Sequence, residues 1–163
     1  MNARLAGPDD ADELVRLRAV MLRSLHSASW DDDWHKPARS ALASRLAADP
    51  DGAGRGAATM AAFVVDRPDG PGLASCALGV IEQRLGGPGN PDGRSGYIFS
   101  VATDEDMRRR GFSRLCVSAL LDWFRAQDIR KVDLRASVEG EPLYRSLGFE
   151  RTHDPAMRLH FKV

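Results

Sequence analysis

Apolar positions along this chain keep two rhythms in turn, one near 3.6 residues and one of two, and their alternation predicts a mixed order of helices and strands. A short strand is predicted over 2–6, followed by a turn at Gly7-Pro8-Asp9-Asp10 that carries helix-capping chemistry. Leu14, Leu17, Val20, Met21 and Leu25 then recur at helical spacing and predict a helix over about 10–26. Residues 29–37 have no period and read as a loop, after which a second helix over about 38–48 buries Leu42 and Leu46. The turn-rich Asp49-Pro50-Asp51-Gly52-Ala53-Gly54 separates it from two strands, 59–66 and 73–83, joined through Pro68-Asp69-Gly70-Pro71-Gly72. Residues 85–96 hold five glycines and two prolines, which predicts a mobile surface loop acting as a plain connector.

The second half is more sharply patterned. A strand over 97–102 precedes a continuous stripe of Phe112, Leu115, Cys116, Ala119, Leu120, Trp123 and Phe124, which predicts a helix running to Gln127. Another strand follows over 132–136, then a short helix over 142–147 stopped by Gly148. Alternation of Met157, Leu159 and Phe161 predicts a final strand. This order defines an α/β fold with one sheet and flanking helices, in which 97–136 forms a right-handed parallel strand–helix–strand unit.

Composition narrows the picture without identifying the chemistry. The 163 residues, 43% of them apolar, suffice for one buried core, so a single domain over 1–163 is expected. Lys+Arg and Asp+Glu both number 23, leaving no net field to draw in nucleic acid or an acidic membrane; electrostatic recognition must be local. Cys76 and Cys116 belong to no cluster and read as free thiols of a reducing compartment. No apolar run approaches a membrane span, so a soluble cytoplasmic protein is expected. None of the four histidines shows metal-ligand spacing, and no metal is expected.

The segment Met107-Arg108-Arg109-Arg110-Gly111-Phe112-Ser113 carries the chemistry. It joins a strand to the start of the strongest amphipathic helix, where unpaired N–H groups carry partial positive charge. Gly111 has no Cβ to block a close ligand, and three arginines stand beside it, which together describe a seat for phosphate or pyrophosphate. It is not a P-loop, because Phe112-Ser113 stands where Lys-Ser/Thr is needed, and one glycine is too few for the dinucleotide fingerprint.

The run Arg108-Arg109-Arg110-Gly111-Phe112-Ser113 resembles the Gln/Arg-x-x-Gly-x-Gly/Ala motif of the GNAT superfamily of acyl-CoA-dependent N-acyltransferases, with Ser113 in place of Gly or Ala. Leu143-Tyr144-Arg145-Ser146-Leu147-Gly148-Phe149 is similar to that family's Leu-Tyr-x-x-Leu-Gly-Phe segment, and Ser137-x-x-Gly140 stands where Asn-x-x-Ala is usual. The resemblance implies a single mixed, mostly antiparallel sheet and acetyl-CoA as co-substrate, with no metal or redox cofactor. It implies that Val101, Ala102 and Thr103 pair with the pantetheine arm, and that Arg108, Arg109, Arg110, Gly111, Phe112 and Ser113 hold the pyrophosphate, the Ser113 hydroxyl being able to donate to it. A weaker cofactor contact from Ser137 and a Tyr144 that protonates the departing thiolate complete the implied donor site.

Direct attack by an amine on a thioester needs a neutral nucleophile, whereas a free alkylammonium has a pKa near 10. A base is therefore required, and Glu82 is the leading candidate, ahead of Glu139 and Glu141; its alternative role is an exposed strand-end carboxylate. On the acceptor side Trp30, Asp33 and Trp34 place rings beside acids, which suits an amine, though the aspartates also suit a helix cap. The expected partner is an amine-bearing small molecule or peptide, with a homodimer through the C-terminal strand compatible with the family. The rival readings are a peptide or protein N-acetyltransferase and a non-catalytic acyl-CoA sensor. An arginine-based nucleic-acid module stands against the neutral net charge.

Overall fold

The computed structural model describes residues 1–25, 31–48 and 59–162. Trp30, the end of the first predicted helix at His26 and the predicted turn at 49–54 lie outside the described residues. Five strands, β1 (Arg4–Leu5), β2 (Met60–Asp66), β3 (Leu73–Gln83), β4 (Arg94–Thr103) and β5 (Val132–Leu134), form one sheet in sequence order. The first four are antiparallel to their neighbours and β5 is parallel to β4. Among the described residues four α-helices flank it: α1 (Ala11–Leu25), α2 (His35–Ala47), α3 (Phe112–Ala126) and α4 (Glu141–Ser146).

The central strands are apolar nearly throughout because both faces of the sheet are covered. Met60, Ala62 and Val64 of β2 pack with Leu14 and Leu17 of α1 and Leu46 of α2. The alternate residues Ala61 and Val65 join Val117, Leu120 and Phe124 of α3 on the opposite face. α3 lies close to the sheet because Phe124 rests on two glycines: a Cβ at Gly79 or Gly96 would come within 2.7 Å of its ring.

Two features of β4 create the functional region. Between the pairs Cys76↔Ala102 and Leu78↔Phe99, β3 advances two residues while β4 advances three, so β4 carries a bulge at Ser100 and Val101. Ser100 takes the left-handed φ of 52°, and the slip brings Val101 to the same face as Ile98, three residues away. Moreover, β5 pairs only with Gly96, Tyr97 and Ile98. Among the described residues, 99–103 thus have one edge with no strand beside it.

Four expectations need correction. α2 begins at His35 rather than 38, because Asp31 and Asp32 build the turn that starts it: the Asp33 N–H donates to Asp31 Oδ1 and the His35 N–H to the Asp32 carbonyl. β4 begins at Arg94 rather than 97, pairing with Gln83. The connector expected to be mobile is tied by Gly87↔Asn90 bonding, by Arg84 N–H to the Gly93 carbonyl, and by Gln83 Nε2 to the Asp92 carbonyl. No final strand forms: alternation supplies one face, but a strand also needs a partner edge, and none of the described strands pairs with the tail. Met157, Leu159 and Phe161 are exposed. Among the described residues no helix is long and apolar enough to cross a membrane.

Candidate active site

The open edge of β4 forms one wall of a cleft of ≈ 940 Å³. Ile98 to Thr103 line that wall, the start of α3 closes one end, Ser137, Gly140, Leu143 and Tyr144 stand opposite, and Met21, Ser24 and Leu25 of α1 border the remainder. Unpaired backbone groups along an edge need water or a ligand to bond. An extended chain with amides of its own satisfies that need as an added strand would.

The α3 start leaves its backbone donors without a side-chain cap. Gly111 is its N-cap, at φ 81°, and no side chain caps the helix, so its first N–H groups point free toward the cleft. A Cβ at Gly111 would meet nothing within 4 Å, which leaves open space where a ligand can approach the backbone. Arg108 and Arg109 line the cleft beside it, whereas Arg110 does not. Arg114, which sequence reasoning passed over, lines the cleft and donates through Nη2 to Ser146 Oγ at 2.7 Å. The signal was available: a cation in the first turn opposes the helix dipole unless an anion shares the site. With Arg135 the described lining holds four arginines against one carboxylate, Glu139, so an electrically neutral chain carries a locally cationic groove.

Ser113 does a different job from the one expected of its hydroxyl. Ser75 Oγ donates to the Ala102 carbonyl at 2.9 Å, so its contact with Thr103 Oγ1 at 2.8 Å must be donated by Thr103. The 2.7 Å contact between Thr103 and Ser113 must then be donated by Ser113. Its one hydroxyl proton is spent on tying the helix start to the end of β4. Only its backbone N–H remains to face an anion.

Tyr144 is held by the residues around it. α4 ends in a reverse turn in which the Phe149 N–H donates to the Tyr144 carbonyl and the Gly148 N–H to the Arg145 carbonyl, with Gly148 at φ 94°. This turn brings the Phe149 ring edge-on to Tyr144, centroids 6.0 Å apart. Gly at the left-handed position and an apolar residue after it are therefore requirements of placing this tyrosine. The residue is 9% exposed, burial pushes the phenol above its ordinary pKa, and no group among the described residues hydrogen-bonds the hydroxyl. It is thus a protonated donor at neutral pH. Ser137 lines the cleft nearby and accepts the Gly140 N–H at 3.1 Å, opening the turn into α4.

The structure brings Val101, Ala102, Thr103, Arg108, Arg109, Gly111, Phe112, Ser113, Ser137 and Tyr144 to one cleft. It leaves out Glu82, which sits opposite Ser95 at the far end of β3 and pairs with Arg84. It also leaves out Asp33 and Trp34, which belong to the turn opening α2; the Trp34 ring packs on His35 with centroids 4.3 Å apart. Glu141 pairs with Arg145 and Arg151.

A mixed sheet with one strand edge left open beside an uncapped, arginine-flanked helix start is the arrangement of an acyl-CoA-dependent acyltransferase. The chain belongs to the acetyltransferase (GNAT) family, which matches residues 20–149, and it is an acyl-CoA-dependent acetyltransferase. Its fold is similar to that of a predicted acetyltransferase with acetyl-CoA from Clostridium acetobutylicum: TM-score 0.79 and 21% identity over 98% of this chain and 95% of that one. A GCN5-related N-acetyltransferase from Ralstonia eutropha JMP134 gives a TM-score of 0.75 at 22% identity, covering 96% and 97%. Glucosamine-6-phosphate N-acetyltransferase from Arabidopsis thaliana gives 0.70 at 18%, covering 98% and 97%. No curated protein matches the chain in sequence.

Proposed function

We propose that the protein transfers acetyl from acetyl-CoA to a primary amine, with donor and acceptor bound together and the amine attacking directly. One observation carries this reading: a single open edge of β4 leads from the arginine-flanked start of α3 to the Tyr144 hydroxyl. The Clostridium structure with acetyl-CoA supports the donor, and the Arabidopsis enzyme named for an amino sugar supports an amine acceptor.

Bound acetyl-CoA supplies an acyl group activated as a thioester. The N–H groups of 111–114 and the arginines 108, 109 and 114 suit its phosphates, and the edge of 99–103 suits its pantetheine amides. The bulge takes β4 out of register with β3 and suits its open edge to offer backbone donors to the developing oxyanion, each typically worth about 3 kcal/mol. Tyr144 gives its proton to the departing sulfur. The nitrogen must lose a proton as its bond to carbon forms; Glu139, the single carboxylate in the described lining, can take it directly or through water.

A route through an acyl-cysteine has no support here. Cys76 and Cys116 are both fully buried away from the cleft, and burial pushes the Cys116 thiol up to about 12.

The test is thiol release from acetyl-CoA across a panel of small amines and of peptides bearing free N-termini or lysines. Release matched by acetylated amine is expected for at least one class. Tight CoA binding without turnover on any acceptor would instead identify an acyl-CoA-binding module.

A further inference from the structure

Immediately before the phosphate-binding turn stand three acids, Asp104, Glu105 and Asp106. They lie between two cleft residues, Thr103 and Met107, yet none of them lines the cleft. A polyanion approaching Arg108 and Gly111 would meet this negative run within a Debye length, about 8–10 Å at ordinary salt. The structure engages two of the three with arginines from distant parts of the chain. Asp104, 7% exposed, accepts from Arg16 Nη1 at 2.7 Å, Arg16 Nη2 at 3.0 Å and Arg67 Nη1 at 2.8 Å. Arg67 also forks onto Asp106 through Nη1 and Nη2.

The same two arginines are themselves fixed. Arg16 in α1 is braced by Glu13 at 2.8 Å and donates to the Leu73 carbonyl at 2.9 Å, while Glu13 accepts the Leu73 N–H at 2.8 Å. Arg67, just beyond β2, is also held by Asp69. On the backbone, Asp104 N–H donates to the Ala74 carbonyl and Met107 N–H to the Asp104 carbonyl, each at 2.9 Å. Asp104 is therefore the point where α1, the β2–β3 turn and the phosphate turn are joined.

We propose that Arg16 and Arg67 are positioning residues for the acyl donor: by holding Asp104 and Asp106 they fix the turn that carries Arg108, Arg109 and Gly111, and they neutralise the acids that precede it. The proposal rests on the reading that the α3 start takes the phosphates of CoA. Neither arginine lines the cleft, so their effect on the donor passes through the two carboxylates.

The experiment compares wild type, Arg67→Gln, Arg67→Lys, the double variant Arg67→Gln/Asp106→Asn, and Gly111→Val. It measures CoA binding by calorimetry, kcat and KM for acetyl-CoA, and pantetheine binding as a probe without phosphates. Arg67→Gln is expected to raise the CoA Kd and the acetyl-CoA KM about tenfold, with kcat at saturation held within about twofold. Arg67→Lys, which keeps the charge, should fall between, and removing the exposed charge in the double variant should recover most of the loss. The ratio of variant to wild-type Kd should shrink as salt screens the repulsion, and pantetheine affinity should not move.

Failure takes distinguishable forms. If wild type binds CoA, Gly111→Val loses it, and Arg67→Gln binds as wild type does, the positioning role is wrong and the donor site stands. Loss of pantetheine and CoA affinity together, with no recovery in the double variant, would show a purely structural network and overturn the proposal. If wild type binds no CoA, or Gly111→Val binds it equally well, the donor site itself falls and the proposal with it.

Discussion

The two halves of β4 belong to one strand and live under opposite rules. Residues 94–98 are paired to β3 on one side, 96–98 of them also to β5 on the other, and Phe124 packs directly onto Gly96. Residues 99–103 keep only the β3 partner, bulge at Ser100 and leave an edge open to the cleft. The closed half supplies packing; the open half gives up ladder bonds and in exchange presents backbone groups that a ligand can use. Substitutions should therefore separate cleanly, moving stability in one half and binding or turnover in the other.

On the cleft that the open half borders, the sharpest break is Gly111→Val. It puts a branched side chain into the space before the helix start, at a φ of 81° that such a residue resists. CoA binding should disappear while circular dichroism stays near wild type; retained affinity in a folded variant would place the phosphates elsewhere. Next in size is Tyr144→Phe, which keeps the ring contact with Phe149 and removes only the proton. A fall of about 100-fold in kcat, with CoA affinity unchanged, is expected from loss of a general acid; undiminished turnover would assign the acid elsewhere.

In the closed half, Gly96→Ala drives a methyl to within 2.7 Å of the Phe124 ring. Overpacking of this kind costs about 1–3 kcal/mol, so denaturant unfolding should shift while the acetyl-CoA KM holds, and a KM that moves with stability would erase the distinction between the halves. The smallest effect concerns the wall opposite. Arg151 and Arg145 hold the Glu141 carboxyl down from 4.5 to about 2. Its folded pKa is lowered, so its contribution is present above about 4.5 and fades as pH falls toward 2. Glu141→Gln should flatten the pH dependence of stability in that window, and an unchanged slope would show that these exposed pairs contribute nothing.

Much of the closed architecture was readable from residue pattern, because a sheet covered on both faces writes itself as apolar strands and α3 as one continuous stripe. The Gly111 start and the Tyr144 frame were also legible, since each depends on a local backbone state that only certain residues allow. The bulge was not: Phe99-Ser100-Val101-Ala102 contains no glycine or proline, and the slip arises from pairing with Cys76 and Leu78, far away in sequence. Glu82 and Trp34 fall outside the described cleft lining for a related reason. Residue chemistry suggested a base and an amine pocket, but register sets Glu82 beside Ser95, and the turn of 31–34 spends Asp31 and Asp32 on starting a helix. The tail at 157–161 shows the limit of alternation, which describes a face and says nothing of whether an edge is waiting.

The arginines around the start of α3 have a kinetic consequence under the proposed reaction. They would grip a portion of CoA that is identical before and after transfer, so that energy is spent equally on substrate, transition state and spent thiol. Such contacts lower the donor concentration needed without quickening the chemical step. They also make free CoA a strong competitor for the groove. Acceleration has to come from the bulged edge and Tyr144.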